Sequence, residues 1–143
     1  MVAGNVAGLP AWARTLLARE RHAHLGLLDA DGAPRVLPVT YAVTGEEVVS
    51  AVDHKRKRDP GGELARVRWL RRDARAALTV DRYDDDWDHL AWVQLLGEMA
   101  VHDAVDGDAL AALQSRYPPY RDRPPAGPLL RLRVTRALCW SAR

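Results

Sequence analysis

The stretch from Leu90 to Asp103 constrains the fold of this chain more than any other. Ala91, Val93, Leu95, Gly97, Met99 and Val101 fall on one face. Trp92, Gln94, Leu96, Glu98 and Ala100 fall on the other. A period of two residues belongs to a β-strand, and this one is long. A second such segment closes the chain: Leu130, Leu132, Val134, Leu138 and Trp140 stand against Arg131, Arg133, Thr135 and Cys139. Long, strongly alternating strands in a chain of 143 residues point to a closed or partly closed barrel. Gly97, in mid-strand, predicts a bulge or a close approach of backbone.

The remaining segments fit the same class. Pro10 opens a helical pattern with Leu9, Trp12, Leu16 and Leu17 on one face. His24 to Asp29 leads into Asp29-Ala30-Asp31-Gly32, and Asp-Gly between apolar runs is a strong hairpin signal. The return segment, Pro34 to Val43, carries Leu37, Val39, Tyr41 and Val43 opposite Pro38 and Thr40. Thr44-Gly45-Glu46 then turns into Val48 to Val52. Leu64, Val67 and Leu70 mark a helix whose other surface is crowded by Arg66, Arg68, Arg71, Arg72 and Arg75, and Ala76 to Tyr83 reads as a fourth strand. Asp106-Gly107-Asp108 can cap a short helix through Leu110, Leu113 and Tyr117. Pro118 to Pro128, with five prolines, reads as a loop. The expectation is one domain over residues 1–143, mainly β with short helices, built on six antiparallel strands.

Charge is distributed unevenly. Lys55 and Lys57 are the only lysines, beside nineteen arginines, and they sit together in Asp53-His54-Lys55-Arg56-Lys57-Arg58. The net charge is only +2, so this run is local. Adjacent cations repel one another unless an anion neutralises them. At a strand end leading into a helix, lysine and arginine donors together with helix N–H groups make an anion site. The alternatives are a solvated loop and a nucleic-acid surface. The second loses ground because Asp84-Asp85-Asp86 would repel phosphate and interleaved aromatics are lacking. No apolar run of about eighteen residues predicts a membrane span. The N-terminus lacks signal-peptide order, and the single Cys139 suits the cytosol.

Catalytic motifs are missing. Histidines 22, 24, 54, 89 and 102 lack metal-site spacing, and no nucleophile elbow or phosphate loop is present. The acidic loop Asp81 to His89 lacks the central Gly and terminal Glu of a calcium loop, so no metal is expected there. It can instead wall a pocket, with Trp87 covering a flat ring and Arg82 and Tyr83 offering polar contacts, or form a plain surface hairpin. Cys139 reads as a small buried apolar residue, and Tyr41 as a core residue. If the chain is an enzyme, a bound cofactor performs the difficult step.

The order of parts carries a resemblance. It runs from a strand and an Asp-Gly hairpin through Leu37-Pro38-Val39-Thr40-Tyr41, a further strand and Lys55-Arg56-Lys57-Arg58 to Leu64 through Leu78. This order resembles the pyridoxamine 5'-phosphate oxidase-like split-barrel flavoprotein superfamily. Asp81 to Trp87 followed by Trp92-Val93 is similar to its actinobacterial branch of probable coenzyme F420-dependent enzymes. The resemblance spans residues 10 to 142. It implies a six-stranded, FMN-binding-type split barrel that dimerises, with two cofactor sites at the interface. It implies that Leu37, Pro38, Val39 and Thr40 face the deazaflavin ring, and that Ser50, Ala51 and Val52 line its other edge. Lys55, Lys57 and Arg58 would hold the phosphate and glutamate tail, and Trp87 of a partner subunit would close the pocket. The implied activity is cytoplasmic hydride transfer between reduced F420 and an organic small-molecule acceptor, with no nucleic acid or membrane partner. The alternatives are an FMN-binding reductase or oxidase on the same fold, or a non-catalytic cofactor-binding protein. The chain departs from the family pattern at Ala91, where an aromatic is expected, and at Gln94, where a basic residue is expected. Both departures touch the substrate side of the pocket.

Overall fold

The computed structural model describes residues 1–52 and 64–143. In chain order the elements are β1 (Val2–Ala3), α1 (Ala11–Arg19), β2 (Ala23–Leu28), β3 (Pro34–Val39), β4 (Ala42–Thr44) and β5 (Glu47–Ala51). They continue with α2 (Ala65–Arg72), β6 (Arg75–Arg82), a 3₁₀ turn at Trp87–His89, β7 (Ala91–His102), α3 (Gly107–Arg116), α4 (Pro119–Asp122) and β8 (Leu129–Ser141). The strands form one antiparallel sheet in the order β3-β2-β6-β7-β8-β5-β4, with β1 added to β8. The first and last strands of that order, β3 and β4, are joined in sequence through Thr40 and Tyr41 alone. The sheet therefore curls until its two ends adjoin, and this mainly β architecture with short helices fits a split barrel.

The hairpins follow from their turn residues. Gly32 has φ 77° and Gly45 has φ 61°, a region only glycine enters without strain. Asp29 fastens the first turn, its Oδ1 accepting from the N–H groups of Asp31 and Ala33 at 3.0 Å each. Inside the barrel, Leu25, Leu78, Val80, Val93, Leu95, Met99, Leu130 and Leu132 form the main core. Leu16 and Leu17 of α1 and Val67 and Leu70 of α2 close it. A smaller cluster lies beyond β5, where Ala42, Val49 and Ala51 meet Ala109, Leu113, Tyr117, Tyr120 and Leu129. Among the described residues, no helix is long and apolar enough to cross a membrane.

Several expectations from sequence change. Eight strands are present among the described residues, not six. One addition is the short β1. The other arises because Pro34–Val43 divides at Thr40-Tyr41, where the chain passes from one end of the sheet to the other. There the Tyr41 N–H donates to the Tyr117 hydroxyl at 3.0 Å instead of to a strand. The alternation of β8 also reverses. Leu130, Leu132 and Val134 point inward, but Ala137 and Cys139 are the buried residues further on, while Trp140 is exposed. The cause is a bulge. Leu96 pairs with Arg136 and Gly97 with Val134, which leaves Thr135 as the extra residue and turns Leu138 and Trp140 to the outer face. In α1 the buried positions are Ala13, Leu16 and Leu17, while Trp12 is exposed. The proline-rich loop contains α4, because Pro119 suits a first helical turn.

Tyr41 anchors the closure. Its buried hydroxyl donates to the Leu17 carbonyl at 2.6 Å, with the Glu20 carbonyl at 3.2 Å. Arg116 stacks over its ring at 4.7 Å and donates through Nη1 to the Ala18 carbonyl at 2.6 Å. Burial pushes the Tyr41 pKa from 10.0 up to about 12, against the pull of Arg116. A raised folded-state pKa means that the neutral phenol's contribution is complete below the unfolded value. It is lost as pH rises toward the folded one. Urea melts of the wild type should therefore weaken between pH 10 and about 12. Tyr41→Phe should be less stable at pH 8 by ~1–2 kcal/mol, the cost of leaving the buried Leu17 carbonyl without its hydroxyl donor. Its deficit should shrink over the alkaline window, and a constant deficit would show that Tyr41 ionisation is not coupled to folding.

Candidate cofactor-binding site

The expected ring-facing segment is the end of β3. Leu37 and Val39 turn inward against the main core, whereas Val36 and Pro38 are exposed and Thr40 is half-buried. Among the described residues β3 pairs with β2 alone, and Pro34 and Pro38 give its other edge no N–H, so that edge offers mainly carbonyl oxygens. Thr40 is fixed from outside the strand: its Oγ1 lies 2.7 Å from the Tyr120 hydroxyl of α4.

The second expected segment, Ser50 to Val52, is buried throughout. Strand pleating sends Val48, Ser50 and Val52 one way and Val49 and Ala51 the other, so β5 divides the two cores. Ala51 shares the smaller cluster with Tyr120. Tyr120 thus hydrogen-bonds Thr40 and belongs to the same cluster as Ala51. The Val52 N–H donates to the Pro128 carbonyl at 3.0 Å, fixing the point from which the chain leaves toward the lysines. Lys55, Lys57 and Arg58 lie outside the described residues.

Trp87 stands elsewhere. It heads the 3₁₀ turn and is 69% exposed. The acidic loop under it is stiffened by its own carboxylates: Asp84 accepts from the Asp86 N–H at 2.8 Å and Asp86 from the Asp88 N–H at 3.1 Å. Arg82 Nε donates to the His89 carbonyl at 2.8 Å, and Arg143 pairs with Asp88 at 3.0 Å. No cluster of three or more metal-type ligands occurs among the described residues. Register places this loop at the Ala91–Ser141 end of the β7–β8 ribbon, while Ala51 pairs with Leu129 at the His102 end. The two ends are separated by roughly 35 Å of strand at 3.3 Å per residue. Within one chain, Trp87 does not join Ser50 to Val52.

The outer sheet face carries apolar side chains that the bulge helps to put there. Trp92 is paired in register with Trp140, and Leu138 with Val2. Val2, Val36 and Trp140 are exposed, and Trp92, Leu96 and Leu138 are half-buried. Gln94, where a basic residue was expected, donates to Thr79 Oγ1 at 3.3 Å on this face.

No family model matches the chain, and no curated protein sequence does. Solved structures do match. A pyridoxamine 5'-phosphate oxidase-like protein from Listeria innocua aligns with a TM-score of 0.63 at 14% identity, over 88% of this chain and 93% of its own. The chain has the split-barrel fold of the pyridoxamine 5'-phosphate oxidase-like proteins. An F420 reductase shares this split barrel with a TM-score of 0.61 at 20% identity, over 94% of this chain and 100% of its own. A heme-binding protein from Mycobacterium smegmatis shares it with a TM-score of 0.66 at 22% identity, over 91% of this chain but 56% of its own. A FAD-binding protein from Mesorhizobium loti belongs to the same group, at 18% identity and a TM-score of 0.65. At such identities the likeness is one of fold, and these split barrels hold different cofactors.

Tyr117 and Tyr120 were not singled out from the sequence as site residues. The available signal was Tyr117-Pro118-Pro119-Tyr120, a proline pair able to start a helical turn and aim two aromatics at one neighbour.

Proposed function

We propose that this split barrel is a homodimeric F420-dependent oxidoreductase that orients the cofactor for hydride exchange with a small organic acceptor. The observation that carries this reading is the junction at Tyr120. Tyr120 hydrogen-bonds Thr40 at the end of β3 and lies in the same cluster as Ala51 at the end of β5, and in the sequence the lysine run begins three residues beyond Val52. A flat ring with a polar rim suits the open edge of β3, the Thr40 hydroxyl and the apolar Pro38. Lys55, Lys57 and Arg58 would hold the anionic tail, whose several carboxylates match a run of cations better than a single phosphate does. When bound, F420 supplies the hydride-carrying ring. The chain's own residues supply position, exclusion of water and charge.

The separation within one chain supports the dimeric part of this reading. Trp87 can wall a pocket built on Ser50 to Val52 only if it comes from a second subunit. The apolar outer face around Trp92, Leu138 and Trp140 is the surface that a second copy would cover.

The FAD-binding relative favours a second reading, a flavoprotein; its FMN form would need one compact phosphate site. Titration of the purified protein with F420 and separately with FMN, followed by fluorescence and sedimentation, decides between them. The expected result is a dimer that binds one F420 per subunit more tightly than FMN. Preference for FMN would move the assignment to the second reading, and binding of neither would remove both.

A further inference from the structure

Among the described residues, two buried side-chain polar atoms have no hydrogen-bond partner: Thr44 Oγ1 and Arg116 Nε. Both belong to one neighbourhood. Arg116 lines a cavity of about 410 Å³ between α1, α3 and the β4–β5 turn. Thr44 lines a second cavity beside it, and Val43, Gly45 and Ala112 are walls of both. Buried polar atoms are nearly always paired, so orphans gathered in one place point to a partner that belongs there.

The charge balance of the first cavity points the same way. Arg116 is half-buried, and its guanidinium stacks over the rings of Tyr41 at 4.7 Å and Tyr117 at 5.4 Å. It donates to the Ala18 and Glu20 carbonyls, which closes free acceptors at the end of α1. Among the described residues it pairs with no carboxylate. Arg14 of α1 lines the same cavity, is exposed, and its guanidinium has no partner among the described residues. Glu46 is the one carboxylate in the lining, and it pairs with neither arginine. One positive charge is therefore unanswered. The remaining walls are largely apolar, and Val6, Leu17 and Ala42 among them are buried. An apolar chamber with an excess guanidinium selects a small anion that carries an apolar body. A carboxylate matches the planar fork of arginine.

We propose that this cavity is a binding site for a small monocarboxylate with an apolar tail. Arg14 pairs with the carboxylate, Arg116 adds positive charge from its half-buried position, and the tail packs against Leu17 and Ala42. None of the residues expected to hold F420 lines the cavity, so the site stands apart from the reading above. Arg116 also fastens the end of α1 and covers Tyr41, so a ligand here bears on the closure of the sheet.

The test is an NMR titration of the whole chain with hexanoate, in the absence of F420, with acetate and hexanamide as comparisons. Hexanoate should bind with a Kd of about 1 mM and raise the melting temperature as it is added. Acetate lacks the tail and hexanamide lacks the charge, so each should bind about tenfold more weakly or worse. Arg14→Gln, at an exposed position, should melt like the wild type and bind hexanoate about tenfold more weakly. Ala112→Leu fills the cavity from α3 and should abolish binding while the protein stays folded. No saturable binding of hexanoate to the wild type would overturn the proposal, whatever F420 does. Equal affinity for hexanamide would overturn it too, because the cavity would then be an apolar hole without charge selection. Unchanged affinity in Arg14→Gln, or in folded Ala112→Leu, would place the hexanoate elsewhere and overturn it as well. Because no arm uses F420 or FMN, failure here leaves the cofactor reading untouched, and failure of that reading leaves this one standing.

Discussion

Gly97→Val should yield no cooperatively folded protein, and Gly97→Ala should lower stability by about 3 kcal/mol or more. A Cβ at this position would sit 1.9 Å from the Arg133 carbonyl oxygen and 2.9 Å from its carbon. Both are main-chain atoms, so no side chain can swing aside. Residue 97 is also paired on two sides, to Ala76 of β6 and Val134 of β8. Relief would require breaking a ladder or unwinding the bulge. Unwinding would return Leu138 and Trp140 to the core side and expel Ala137 and Cys139, a reversal of the last strand's faces. Gly26→Ala is the control, because its Cβ would meet nothing nearer than the Ala77 carbonyl at 3.7 Å. Thermal melts of the two variants decide the matter, with a loss of about 10 °C or more expected for Gly97→Ala alone. Equal melting temperatures would remove the close-approach argument.

The second large effect concerns ligand binding. Lys55→Ala combined with Lys57→Ala should weaken F420 about a hundredfold, the size of two lost charge-assisted hydrogen bonds. Wild-type binding should also weaken as salt rises, and the double variant should show a shallower salt dependence. FMN, with one phosphate, should lose less. The melting temperature should hold or rise, because removing two of four neighbouring cations relieves repulsion. Unchanged F420 affinity would leave the lysine run a solvated surface and remove the argument from the tail.

Much of the fold is legible in the chain because its signals are local. The alternation from Ala91 to Val101 marks an inward and an outward face, and the structure keeps both. Asp29 to Gly32 and Thr44 to Glu46 name their own turns, since positive φ is a property of single residues. Leu64, Val67 and Leu70 mark α2 because helical period needs only eight residues to show. The order of these parts sufficed to indicate the split barrel.

Other features depend on partners that no local pattern names. The alternation of β8 is regular on paper through Trp140. It inverts because Thr135 is squeezed out opposite Gly97, a contact between residues nearly forty positions apart. Pro34 to Val43 reads as one strand, and it breaks because Tyr117 and Leu17 draw Tyr41 away from the ladder. Trp12 looks like core, yet Leu16 and Leu17 already fill the space beneath α1.

For the site, the residues by themselves marked a local run of cations after Val52 and one strand from Pro34 to Val43, within which the resemblance singled out Leu37 to Thr40. Charge and period are written one residue at a time. Tertiary structure alone decided that Thr40 meets Tyr120, which shares a cluster with Ala51, and that Trp87 stands at the far end of β7 from Ala51. Those relations arise from curling the sheet until its end strands adjoin. That curl is set by packing between distant segments and is invisible to any short stretch of sequence.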